Sequence, residues 1–246
     1  MKVYIFLCLI SVAHLAKLPP SFLICKNDPE ELPKCLPQAV EKALDILQEP
    51  IPELGIPSVD PMEIESLTFE GGSGTIVLNQ YLTNVKIHNL RKAKVTKAEL
   101  SESGDDITLE IGAFMENVTL VADYEINGHV LVVPIAGKGN ARIELGNLTT
   151  TVTVTATRVD KDGEEFLKLT DVAVDLEPNS AELDFGELVP GNKQMSDEIG
   201  KTLNENWREV FAEFKGAYEQ TVGYYLSAVA NQLFDKVPMA ELFPPP

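Results

Sequence analysis

The chain is poor in the residues from which metal centres and nucleophilic sites are built, with three cysteines and three histidines in 246 residues. His14, His88 and His129 fall in no zinc or nucleophile spacing. The stretch "GGSGT" at 71–75 lacks the final glycine of a GxSxG elbow and reads as a turn. Acids are abundant, yet no spacing singles out a pair for acid or base work. The expectation is therefore a protein without metal, cofactor or catalysis, a hydrolase being the weaker option. Bases are also scarce. Lys and Arg number 20 against 38 Asp and Glu, a formal charge of -18, which argues against nucleic acid and anionic membrane surfaces as partners. Missing too is an apolar run of the roughly twenty residues that a membrane span requires, so stable membrane insertion is not expected.

What apolar run there is lies at the start. Val3 to Val12 is almost wholly apolar behind Met1 and Lys2, and small residues follow at Ser11, Ala13 and Ala16, the layout of a secretory signal peptide over 1–16. The remainder, 17–246, is expected to be one extracellular domain. Removing the leader removes Cys8 and leaves Cys25 and Cys35 in a compartment where disulfides persist. Two cysteines without nearby histidines make a poor zinc site, and their spacing is not CxxC. They are read as a structural clip worth about 3 kcal/mol by loop-closure entropy. Secretion also gives meaning to two sequons, at Asn117 and Asn147. Asn117 falls on the polar side of an alternating run, and Asn147 follows Gly146 at an expected turn.

Three regimes follow one another. In "PEELPKCLPQAVEKALDILQ", Leu36, Val40, Leu44 and Leu47 recur at helical spacing, so a helix begins near Leu36 or slightly earlier. Then "EPIPELGIPSVDPMEI" carries four prolines and reads as an extended, rigid connection. From about Met62 to Leu188 the period changes to two, with β-rich runs such as Val118 to Ile126 and Val152 to Ala156. Asn127-Gly128 and Asp162-Gly163 are expected hairpin turns, with "EGGSG" and "ESGDD" as further candidates. The sheet should be antiparallel, with one face wet and the other buried.

No proline occurs between Pro190 and Pro238, and apolar residues from Ile199 to Val237 recur at steps of one, three or four. One continuous helix is expected from about Lys193 to Lys236, roughly 65 Å long. It exceeds a compact domain's diameter, so the sheet should curl lengthwise around it. Such a wrap need not be filled completely by side chains, and incompletely filled apolar space is where lipids bind. Gly216 and Gly223, inside the helix, make room either for a ligand or for a close strand.

The segments "LPPSFLICKNDPEELPKCLPQAVEKAL", "GIPSVDPMEI", "LNENWREVFAEF" and "NQLFDKVPMAELFP" resemble, in this order, the takeout and juvenile hormone binding protein family of insects. The resemblance covers essentially all of 17–246. It implies an α+β fold, in which a long C-terminal helix is wrapped by a highly curved antiparallel sheet beside a short N-terminal helix. It also implies a disulfide at Cys25 and Cys35 and an internal apolar tunnel. No cysteine follows Cys35, whereas the moth haemolymph carriers have a second disulfide in the sheet, so the chain is closer to the takeout branch.

The function expected is thus a secreted, monomeric carrier of a small elongated hydrophobic ligand: a juvenile hormone-like terpenoid, a fatty acid or another lipid. The candidate lining is Trp207, Phe211, Phe214, Tyr218, Val222 and Tyr225 on the helix, with Tyr124, Val132 and Val154 from strands. Tyr124, Tyr218 and Tyr225 are candidates for orienting a polar group through their hydroxyls. The alternative is a membrane- or lipopolysaccharide-interacting protein of the same architecture. The basic stretch "LRKAKVTK" at 90–97 favours it, and the net charge opposes it.

Overall fold

A computed structural model describes residues 17–71, 76–130 and 132–246. The expected leader, 1–16, lies outside the described residues. Helix α1, Leu32–Ile46, starts where Asp28 folds back: its carboxylate accepts the backbone N–H groups of Glu30 and Glu31 at 2.9 and 3.0 Å. Pro33, in the first turn, sits where no intrahelical donor is needed. The Cys25–Cys35 disulfide clips the preceding segment to this turn. Beneath it Cys25, Leu32, Leu36 and Ala98 form a small apolar cluster.

The proline-rich connection is not extended. Ile51 and Ile56 bond each other reciprocally across a tight turn, at 2.8 and 3.1 Å, with Gly55 at φ 73 closing it. Ile51, Leu54 and Ile56 have apolar surface to bury and do so against Val237. Pro50 and Pro57 flank this turn, and Pro52 lies within it, its carbonyl accepting the Gly55 N–H at 3.0 Å.

Seven strands follow: β1 (Met62–Gly71), β2 (Ile76–His88), β3 (Lys94–Ser103), β4 (Asp106–Val130), β5 (Val133–Lys161), β6 (Glu164–Glu177) and β7 (Ser180–Asp184). All pair antiparallel, and the path is β1-β2-β4-β5-β6. Strands β4 and β5 are so long that each serves two neighbours on one side: β4 pairs with β3 then β2, and β5 pairs with β7 then β6. At about 3.3 Å per residue they would reach roughly 80 and 95 Å if straight, against ~45 Å for a compact domain of this length. They must curl. Register shifts at Thr83/Lys86, Val95/Lys97 and Thr155/Ala156 provide the bends.

Two turn expectations separate here. Asp162 and Gly163, at φ 57 and 87, make the β5–β6 hairpin, and Gly104 in "ESGDD" lies in the β3–β4 reversal. Asn127-Gly128, however, lies inside β4; Gly128 is required because a side chain there would collide with the Val77 carbonyl. The chain reverses beyond Val130 instead. Asn147 is likewise within β5 and not at a turn, although its φ of 48 marks a kink.

The C-terminal helix is interrupted. It forms α2 (Lys193–Glu205) and α3 (Trp207–Phe234), followed by the short α4 (Met239–Leu242). Asn206, at φ -114 and ψ 29, breaks the helical geometry, and its side-chain amide donates to the Thr202 carbonyl at 2.7 Å beside its own backbone N–H. Asparagine's short amide competes for backbone groups in this way. Helix α3 alone is ~42 Å long and packs against β6, β7 and β1, while α1 lies over β3. A Cβ on Gly223 would meet the Val172 carbonyl at 3.0 Å, so this glycine admits a close strand; a Cβ on Gly216 would meet nothing.

Candidate functional site

Between α3, α1 and the inner face of the sheet lies a cavity of about 400 Å³, within the usual range of ligand sites, about 300–1,000 Å³. Its wall on α3 runs from Trp207 to Ala230, ~35 Å of helix, so the space is elongated. Val40 and Leu44 of α1 close it on one side.

Strand parity explains how so much apolar surface faces one space. On β4, Ile111, Ala113 and Met115 line the cavity, and then Val118 and Leu120 do, so the inward register changes from odd to even. On β5, Ile143 and Leu145 give way to Leu148, Thr150, Val152 and Val154, from odd to even as well. The two changes face each other, between the pairs Met115↔Leu148 and Asn117↔Gly146. Glu116, Asn117 and Asn147 are exposed there. The pairing register of β4 with β5 is the same on both sides of this point, so the two strands change inward parity together and keep their apolar faces inward past the bend.

The lining contains no Asp, Glu, Lys, Arg or His, and its hydrogen-bonding side chains are Gln80, Thr150, Trp207, Tyr218 and Thr221. Thr150 donates to the Asp175 carbonyl at 2.9 Å and Thr221 to the Ala217 carbonyl at 2.8 Å. Gln80, 3 % exposed, is on the inner face of β2 beside Phe69 of β1. Tyr218 meets Phe69 edge-on at 5.0 Å and Phe211 at 5.8 Å. Burial pushes the Tyr218 phenol up to about 12, opposed by a hydrogen bond from Gln80.

Of the nine residues expected to line a tunnel, the structure brings Val154, Trp207, Phe211, Tyr218 and Val222 together around this space. The other four sit elsewhere. Phe214 is 2 % exposed and packs in the core behind Phe69 and Val210, which do line the cavity. Tyr124 is buried against Phe185, its hydroxyl donating to the Glu187 carbonyl at 3.0 Å; burial and then Glu187 and Asp184 push its ionisation up. Tyr225 donates to the Ser58 carbonyl at 2.8 Å and is raised by burial and then by Glu63. Val132 is 94 % exposed, at the tip beyond β4. Gln80, Thr150, Thr221 and the α1 residues were missed, although Gln80 shares its parity with Leu78 and Leu82, and that alternation was a usable signal.

In the basic stretch at 90–97, Leu90, Ala93 and Val95 line the cavity, while its charges are partly neutralised: Arg91 approaches Asp45 and Asp60, and Lys97 lies between Glu99 and Glu110. Lys215 of α3 sits among Asp175, Glu177 and Glu219, which raise its ionisation, the hydrogen bond to Glu177 foremost. Both sequon asparagines are exposed. No helix among the described residues is long and apolar enough to cross a membrane.

A family model described as haemolymph juvenile hormone binding protein matches residues 3–244. The chain is 26% identical over 226 residues to circadian clock-controlled protein daywake of Drosophila melanogaster, which covers 89% of this chain and 85% of the relative. The Drosophila yakuba protein of that name is 24% identical over the same shares. Among solved structures, that of Epiphyas postvittana Takeout 1 superposes with a TM-score of 0.79, covering 90% of this chain and 99% of that one at 22% identity. The two share a fold.

Proposed function

The chain belongs to the haemolymph juvenile hormone binding protein family, and from that premise we propose that it is a secreted, monomeric carrier that encloses one elongated apolar molecule without chemistry. The observation that carries this reading is the cavity of about 400 Å³, walled along ~35 Å of α3 by side chains without a single charge. Burying ~400 Å² of ligand surface at about 25 cal/mol per Å² contributes roughly 10 kcal/mol. Association costs offset part of this, which still leaves micromolar affinity within reach. Secretion is supported by the leader-like 1–16, by a disulfide suited to an oxidising compartment, and by the exposure of Asn117 and Asn147.

The test is binding of the neutral dye Nile red to protein secreted from insect cells and stripped of lipid, followed by displacement with unlabelled lipids. Saturable binding at one site per chain is expected, whereas stripped, folded protein that binds no apolar dye would overturn the carrier reading. Treatment of the secreted protein with a glycosidase should lower its mass by the glycans at Asn117 and Asn147.

A further inference from the structure

Granted the carrier reading, we propose that the cavity takes neutral lipids bearing an ester, ketone, epoxide or alcohol and rejects ionised fatty acids, with the Gln80 amide and the Tyr218 hydroxyl as the seat of the polar group.

The argument begins with charge. Residues from α1, all seven strands and α3 line the space, and none is cationic. A carboxylate drawn inside would lose its hydration without gaining a counter-ion, a penalty that proteins normally avoid by pairing the charge or protonating the acid. Tyr218 is the titratable side chain on the lining, and burial keeps it protonated. Lys215, on the same helix, is engaged by Asp175, Glu177 and Glu219. Arg208 stacks on the Trp207 ring at 4.5 Å, next to one end of the cavity. A competing model, with an acid head group at one end, would have to rely on Arg208 or on Arg91, Lys92 and Lys94, which alternate with the lining residues Leu90, Ala93 and Val95; these three cations are exposed, and Arg91 is already paired with Asp45 and Asp60.

The polar groups on the lining sharpen the choice. Thr150 and Thr221 give their protons to backbone carbonyls, so they turn only oxygen lone pairs toward the space and would repel an anion. Gln80 and Tyr218 differ. Gln80 hydrogen-bonds the Tyr218 phenol, and one bond between them leaves the pair with a donor for a ligand carbonyl or epoxide, the phenol's proton or an amide N–H, and with an oxygen that can accept from an alcohol. Tyr218 stands roughly midway between Trp207 and Ala230, with apolar wall on both sides. A neutral chain with its polar group set partway along is the shape that fits.

The experiment is Nile red displacement from wild type by a matched pair, methyl laurate and lauric acid, across pH. A carboxyl group ionises near pH 4–5. If only the neutral form enters, at about pH 7.5 the acid should compete roughly 300- to 3,000-fold less well than the ester, the gap closing about tenfold per pH unit on acidification. The ester's curve should stay flat with pH. Lauric acid that matches or outcompetes the ester at about pH 7.5 would overturn the proposal while leaving the carrier reading intact; absence of Nile red binding would end both. Tyr218→Phe should narrow the preference for methyl laurate over the matching alkane about fivefold, and Gln80→Leu tests the same seat if that variant folds poorly. An unchanged preference in a folded variant would remove the pair from the site.

Discussion

Val222 occupies the cavity wall halfway along α3, against the cluster built on Ala93, Met115 and Leu176. Replacing it with tryptophan adds roughly 90 Å³ of side chain at interior packing density, about a fifth of the 400 Å³ space. In a filled core such an insertion costs typically 1–3 kcal/mol, which for a chain of this size lowers the melting temperature by roughly 3–10 °C. In an unfilled space the indole has somewhere to go. Val222→Trp should therefore melt within ~3 °C of wild type while its Nile red affinity falls at least tenfold. Differential scanning fluorimetry and dye titration on the same stripped sample read both quantities. A large drop in melting temperature would show that the space is occupied by side chains in solution. A stable variant with unchanged affinity would place the ligand away from this stretch of α3.

Cys35→Ser should lower stability by about 3 kcal/mol, the entropy of an open loop restored, and denatured wild type should titrate with no free thiol at Cys25 or Cys35. Gly216→Ala should stabilise α3 by up to about 1 kcal/mol through helix propensity, whereas Gly223→Ala should show no such gain, because the Val172 carbonyl is in the way; equal gains in thermal melts would refute the close-strand account. Lys215, with its ionisation raised in the fold, contributes stability that is complete below the unfolded lysine value and lost only as pH rises past the folded one, so wild type should show no loss from this group between about pH 7 and 9. Lys215→Met instead leaves Asp175, Glu177 and Glu219 facing one another, and its stability relative to wild type should improve as pH falls toward about 4–5 and the carboxylates protonate; a pH-independent difference in denaturant midpoints would contradict this.

Period-two alternation made most of the sheet legible, because a strand with one wet face must alternate. The Asp162-Gly163 turn was legible because its φ values demand such residues. Asn127-Gly128 has the same letters in a different role: its glycine is required by the approach of β2, a long-range contact that local sequence cannot reveal. The break at Asn206 was hidden for a related reason. The apolar period continues through it, and the interruption shows only in the backbone angles of Asn206 and its side chain's bond to Thr202. The site was half legible. Helical spacing put Phe211, Phe214, Tyr218, Val222 and Tyr225 on one stripe, but hydrophobic pattern does not distinguish a side chain facing a void from one facing another side chain, so Phe214 in the core and Tyr225 on Ser58 looked no different from Val222. The matched changes of inward parity at Met115/Val118 and Leu145/Leu148 were visible as broken alternation, yet their facing each other across β4 and β5 emerges only from the sheet.

Native mass spectrometry of the protein as secreted from insect cells, before and after organic extraction, bears most directly on the claim that the cavity is a carrier site. The account predicts a mass excess of one lipid-sized molecule per chain, absent after extraction, identifiable as a neutral species, and restored by adding that species back. Chains that are ligand-free as secreted and that, once stripped and still folded, take up no apolar compound would contradict it.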